Sequence, residues 1–314
     1  MNKRFGLALF VLLFAAGGLT QLARLERFTA TFSIVAYDPA TGDLGVGVAS
    51  KFPAVGALVP WAKAKVGAIA TQALANPTYG PQGLQMMELG FSAEETLNQL
   101  TKNDSGQEDR QVGVVDAKGR AATFTGKNCF DFAGGITGEN FAVQGNILAG
   151  RAVIEAMAEK FQKTSGSLAE RLVATLEAGD AAGGDRRGKE SAALLVVREG
   201  AAYGGAGDRW IDLRVDDHAE PVRELRRLLG VHTLYFGETK QVVPLTPELV
   251  KEIQEVLKRT GFYKGEVNGV YDDATRKALE DFQGWENLEM RFRKDNQIDA
   301  VVLHHIRTHF GKKK

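Results

Sequence analysis

From residue 31 onward, short apolar, β-branched runs alternate with clusters of turn-forming residues. Residues 31–37 (TFSIVAY) form such a run, 38–42 (DPATG) a turn cluster and 44–49 (LGVGVA) a returning run. This pattern predicts a β-hairpin. Further strands are expected at 67–73, 111–116, 121–125, 141–146, 191–198 and 210–215. Helical periodicity predicts helices over 82–89, 93–100, 147–163, 167–178 and 220–229. Ser92-Ala-Glu-Glu95 and Ser167-Leu-Ala-Glu170 carry the spacing of a capping box, in which serine and glutamate satisfy each other's backbone N–H groups. Strands, two helices, strands, two helices and strands again suit an α+β fold, a sheet sandwich with helices on both outer faces.

The texture changes after Gly230. Residues 237–247 (GETKQVVPLTP) read as a linker. Beyond it, Thr246 with Pro247 at the first helical position opens a helix that runs to about residue 260, where Gly261 fits a C-terminal cap. Asn268-Gly269 marks a turn, and 273–283 a second helix. Leu249, Ile253, Leu257, Phe262, Leu279 and Phe282 recur at helical spacing and predict a small separate core. At the other end, Lys3 and Arg4 precede the apolar run 5–19, which reads as a secretory signal and is short for a membrane span. The expected organisation is a signal or pro-segment over 1–30, a main domain over 31–237 and a small, mostly helical domain over 238–314, in an exported protein.

Composition removes several chemistries. The 314 residues carry 39 basic and 39 acidic side chains, and zero net charge argues against nucleic acid or an anionic membrane as the main partner. The single cysteine, Cys129, rules out an internal disulfide, a cysteine zinc site and an iron–sulfur cluster. The five histidines (His218, His232, His304, His305 and His309) leave the first two hundred residues without any. A histidine-based triad or a histidine-ligated metal is therefore excluded there, and neither metal nor cofactor is expected. His305 and His309, one helical turn apart, read as helix-face residues, and Cys129 as a small buried side chain.

Several segments together resemble the DUF1028 family, which is assigned to the Ntn (N-terminal nucleophile) hydrolase superfamily. They are Thr31-Phe-Ser-Ile-Val-Ala-Tyr-Asp38, Gly47-Val-Ala-Ser-Lys51, Ala70-Thr-Gln-Ala-Leu-Ala-Asn-Pro-Thr-Tyr-Gly80, Arg110-Gln-Val-Gly-Val-Val-Asp116, Gln144-Gly-Asn146 and Gly183-Gly-Asp-Arg-Arg-Gly-Lys-Glu-Ser-Ala-Ala193. The resemblance spans roughly 31–237. Val250-Lys-Glu-Ile-Gln-Glu-Val-Leu257, Gly265-Glu-Val-Asn-Gly269 and Ala274-Thr-Arg276 resemble the small helical peptidoglycan-binding repeat, although Asp272-Asp273 stand where that module usually has Gly-Pro. The first resemblance implies a four-layer αββα sandwich whose nucleophile is the first residue of the mature chain. It also implies a small amide or peptide substrate and a tendency to pair as a homodimer. The second implies peptidoglycan as a partner.

The chemistry fits the residues. A threonine or serine hydroxyl is a poor nucleophile near neutral pH and needs a base. A free α-amine, with a pKa of about 7.7–8.0, is such a base. An N-terminal threonine thus carries its own base, which makes Thr31 the candidate nucleophile if residues 1–30 are removed; otherwise Thr31 is an ordinary strand residue. Ser50 and Lys51 end the second strand, where the hairpin returns past Thr31, and Lys51 could lower the amine pKa. Gln72 and Asn76 flank a turn fixed by Pro77 and offer amide groups for an oxyanion hole or for the turn itself. Asn146, after Gln144, is a candidate site residue or a helix cap. Asp185 and Arg187 could pair in a glycine-rich loop that enters the strand headed by Ser191. Ser50 and Ser191 are the fallback nucleophiles. The competing expectation is a non-catalytic wall-associated protein on the same scaffold.

Overall fold

A computed structural model describes residues 31–311. The apolar run 5–19, read above as a secretory signal, lies outside the described residues. Among the described residues no helix is long and apolar enough to cross a membrane. The described residues divide into two compact units, the first ending at Arg227 and the second beginning at Leu228.

The first unit holds two antiparallel sheets. The larger contains β1 (Thr31–Tyr37), β2 (Leu44–Ser50), β7 (Gly134–Gly138), β8 (Phe141–Asn146), β9 (Ser191–Val197) and β10 (Arg209–Val215), in the order β10-β9-β2-β1-β8-β7. The smaller contains β3 (Pro60–Lys63), β4 (Gly67–Ala73), β5 (Arg110–Asp116) and β6 (Ala121–Thr125), in sequential order. Side chains alternate across a strand, so each strand supplies two faces. Val35, Val46, Val48 and Ala142 of the larger sheet meet Ala68, Ala70 and Val115 of the smaller in one buried cluster between the sheets. Ile69, Val112 and Val114 point the opposite way and pack under α1 (Tyr79–Glu88) and α2 (Ala93–Lys102).

The outer face of the larger sheet carries α3 (Ala152–Lys163) and α4 (Leu168–Ala181), with α4 against β1 and β2. Close approach here depends on Gly45, where a Cβ would lie 2.7 Å from Leu172. Both predicted capping boxes form, at Ser92/Glu95 and Ser167/Glu170. The helix expected from residue 147 begins only at Ala152, because Ile147 is left-handed at φ 51°. A further helix, α5 (Pro221–Phe236), extends well past the expected residue 229.

The second unit contains α6 (Pro247–Arg259), α7 (Asp273–Trp285) and α8 (Ala300–Phe310) around Ile253, Leu257, Phe282, Ile298, Val302 and Ile306. Thr246 caps α6 by accepting from the Leu249 N–H, as expected. Gln254, buried within α6, accepts from the Asn268 and Gly269 N–H groups and donates to Thr275, which pins the Asn268-Gly269 turn. The segment expected as a linker contains β11 (Val242–Pro244), which pairs with β12 (Gln297–Asp299). Its Val-Val-Pro is too short to announce a strand without its distant partner. His305, one of the helix-face pair, faces Glu286 at 3.0 Å.

Candidate active site

β1 lies between β2 and β8, and the ladder register aligns their ends. Thr31 stands opposite Ser50 on one side and Asn146 on the other, and Ser50 stands opposite Ser191. One row across four strand ends therefore reads Asn146, Thr31, Ser50, Ser191. Paired residues of antiparallel strands project to the same face. Here that face looks toward the smaller sheet. One step further in, Ser33 stands opposite Gln144. Beyond that the face becomes apolar, with Val35 between Val46 and Ala142. The polar band is wholly enclosed: Thr31, Ser33, Gln72, Gln111, Gln144, Asn146 and Ser191 are each 0% exposed.

Burying that many polar groups is costly unless they bond one another. They do, with directions that follow from one anchor. Gln111 of β5 donates from Nε2 to the Gly145 carbonyl (2.8 Å) and the Thr125 hydroxyl (2.9 Å). Its Oε1 must then accept, and it receives Gln72 Nε2 at 2.8 Å and Asn146 Nδ2 at 3.0 Å. Gln72 also donates to the Thr31 carbonyl at 3.2 Å. Its Oε1 accepts from the Ser33 hydroxyl at 2.6 Å, and Ser33 in turn accepts from Gln144 Nε2 at 2.6 Å. Gly113 makes room for this chain, since a Cβ there would lie 2.2 Å from Gln144 Oε1. The Thr31 and Ser50 hydroxyls are 3.2 Å apart. One valence stays open. Asn146 Oδ1 is buried and has no hydrogen-bond partner among the described residues, a state that costs roughly 1–3 kcal/mol.

The backbone beside these amides is strained. Ala73 (φ 65°) follows Gln72 and Ile147 (φ 51°) follows Asn146, both in the left-handed region without being glycine. Such residues cost about 1–3 kcal/mol each and persist where packing over-determines them. Ala73 and Ile147 pack together with Cys129 in one buried cluster. Burial pushes the Cys129 thiol up to about 11. Thiolate is the reactive form, so native protein at pH 7.5 should resist iodoacetamide for hours and react fully in denaturant. Rapid native labelling would contradict this placement.

Three predicted site residues form a rim beside the row. Asp185 accepts from the Lys51 N–H (2.8 Å) and the Arg187 N–H (2.9 Å), and the Arg187 guanidinium lies 3.1 Å from it. These bonds tie the glycine-rich loop to the end of β2. The Lys51 ammonium faces Glu190 at 3.3 Å. Ser191 donates to the Phe52 carbonyl and accepts from the Val55 N–H, fixing the loop after β2. Asn76 is not brought into the Thr31 network. It bonds Asp104 at 3.3 Å, alongside Tyr79 (2.9 Å) and Arg110 (2.8 Å). Burial opposes ionisation of Asp104, but bonds from Arg110, the Gly106 N–H, Tyr79 and Asn76 hold its carboxyl far below the usual carboxylate range. Burial, with help from Asp104, pushes the Tyr79 hydroxyl up. A cleft of about 330 Å³ opens at the strand ends, bordered by Phe32, Ser50 and Asp185.

Two members of the network, Ser33 and Gln111, were not singled out from the sequence. Their signal is a polar residue at an inward position of an otherwise apolar strand, which shows only once the register is known.

The family model described as "Family of unknown function (DUF1028)" matches residues 31–225, which hold the row, the network and the rim. The chain belongs to the DUF1028 family. A solved DUF1028 protein from Silicibacter pomeroyi is 33% identical, with a TM-score of 0.59 over 65% of this chain and 89% of that one. A second model, described as "Putative peptidoglycan binding domain", matches residues 235–306. No curated protein matches. A DUF1028 domain joined to a peptidoglycan-binding domain points to association with the cell wall, and such a domain is consistent with an extracytoplasmic location.

Proposed function

We propose that this DUF1028 protein is an exported Ntn-type hydrolase that cleaves an amide bond with Thr31 once residues 1–30 are removed, and that its C-terminal unit holds it at the cell wall. The observation that carries the reading is the place of Thr31, at the end of a central strand and directly opposite Asn146 of the neighbouring strand, whose side-chain acceptor is open. Two facing sheets, each with helices on its outer side, support a four-layer αββα sandwich. The open Asn146 Oδ1 suits an N–H of a free Thr31 amine and would hold that amine beside the hydroxyl. Thr31 Oγ1 then attacks the carbonyl while the amine takes its proton, with Ser50 placed to relay it. The proton passes to the leaving nitrogen as the C–N bond breaks, leaving an ester on Thr31. Water hydrolyses that ester, releasing the acid and restoring the hydroxyl. Gln72, Gln111 and Gln144 act as positioning residues, and Asp185, Arg187 and Lys51 shape the rim.

The complete burial of Thr31 favours the second reading, a scaffold that is never processed and only binds the wall. The two separate on activity. The chain beginning at Thr31 should hydrolyse members of an amide panel that the chain beginning at Met1 leaves intact. Inactivity of both forms on every amide, with co-sedimentation of the full chain with purified peptidoglycan, would favour the scaffold.

A further inference from the structure

One cation in the cleft beside the strand ends has no ion-pair partner among the described residues. Around it, cations and anions mostly answer one another. Asp185 is bonded by Arg187, Lys51 faces Glu190, and Lys189 lies 2.8 Å from both Asp180 and Glu220. Arg186 lines the cleft, is exposed, and makes no side-chain hydrogen bond or ion pair among the described residues. Its place is fixed from behind, since the Arg186 N–H donates to the Ile147 carbonyl and Asp185 bridges to Leu148. Those contacts root it one residue beyond Asn146. Glu220, the second carboxylate on Lys189, is half-exposed and not part of the cleft wall. Phe32, Pro221 and Val222 give the cleft an apolar lining. Ser50 forms part of the cleft's border, and its hydroxyl is 3.2 Å from that of Thr31.

We infer that the cleft binds a small amide bearing a free carboxylate, with Arg186 holding the carboxylate and the Phe32–Val222 wall an apolar group. A planar guanidinium takes a carboxylate through two parallel N–H bonds. At about 330 Å³ the cleft lies at the small end of ligand sites, which fits an N-acyl amino acid or dipeptide and not a long chain. This specificity rests on the hydrolase reading above, whereas the binding site itself does not.

The test uses the chain beginning at Thr31 and two probes, N-acetyl-phenylalanine and its neutral methylamide. Calorimetry on the Thr31→Ala form should show roughly ten- to a hundredfold tighter binding of the acid. Adding Arg186→Gln should remove that preference while leaving the weak binding of the methylamide. Retention of the preference in R186Q, or its absence in the parent form, overturns the proposal. With Thr31 intact, kcat/KM for an amide panel should show the same preference and the same loss. Carboxylate-selective binding without any turnover would sink the hydrolase reading and leave the Arg186 site standing; turnover indifferent to the carboxylate would do the reverse.

Discussion

Replacing Thr31 by alanine in the chain that begins at this residue is expected to reduce amide hydrolysis by several powers of ten, the usual consequence of losing a nucleophile. The fold should survive. Thr31 is fully buried and its hydroxyl lies 3.2 Å from that of Ser50, so the substitution costs a small cavity and about 1 kcal/mol for the bond. That is more than a solvent-exposed strand end would cost, and still well inside the stability of an ordinary domain. Thr31→Ser keeps both hydroxyl and amine and should retain part of the rate. Comparing kcat/KM and melting temperature for the three forms separates chemistry from folding. Equal activity of the threonine and alanine forms would move the search to Ser50, since Ser191 is already engaged by Phe52 and Val55.

The largest stability effect is expected in the second unit, at Arg291. Its guanidinium and the Asp299 carboxylate are 2.6 Å apart, with side chains 1% and 0% exposed. Arg291 also donates to the Thr233 and Leu234 carbonyls, while Asp299 accepts from Thr239 and the Val301 N–H. Removing one partner of such a pair strands a buried charge and costs about 3–5 kcal/mol. Arg291→Met should therefore raise hydrogen exchange across 238–311 while leaving 31–220 protected, and the double change with Asp299→Asn should recover part of the loss. Burial opposes ionisation of Asp299, but Thr239, the Val301 N–H and Arg291 outweigh it and hold the carboxyl below its ordinary value. A carboxyl depressed in the folded state contributes stability that is present above its unfolded pKa of about 3.9 and is lost as pH falls through the lower folded value. The wild-type unit should keep this contribution at pH 5 and lose it on further acidification. Unchanged exchange in Arg291→Met would contradict the pairing.

Much of the architecture was legible because its signals are local. The runs 31–37, 67–73, 121–125 and 141–146 are strands with those same limits, since each is apolar or β-branched between turn residues. The capping boxes at Ser92 and Ser167 need only four residues to be read. β3, β7 and β11 were not legible: Pro60-Trp-Ala-Lys63 and Gly134-Gly-Ile-Thr-Gly138 lack the composition of strands, and pairing with distant neighbours makes them so. The site divides in the same way. Thr31, Ser50, Gln72, Gln144 and Asn146 came from motifs and meet in one network. Asn76 shares a motif with Gln72, but the turn at Pro77 carries it to Asp104 instead. Gln111 and Ser33 became visible only with the register, because a polar residue in an apolar strand has meaning only when its face is known.

Catalysis by Thr31 requires it to be the first residue of the mature chain, which intact mass spectrometry of the protein purified from its native host reads out. A single mature species beginning at Thr31, with a free α-amine, is expected. A species that begins near Gly18 or Leu19, where the apolar run 5–19 ends, and stays that length in fresh and aged preparations, would contradict this and leave Thr31 a strand residue without the base its chemistry requires.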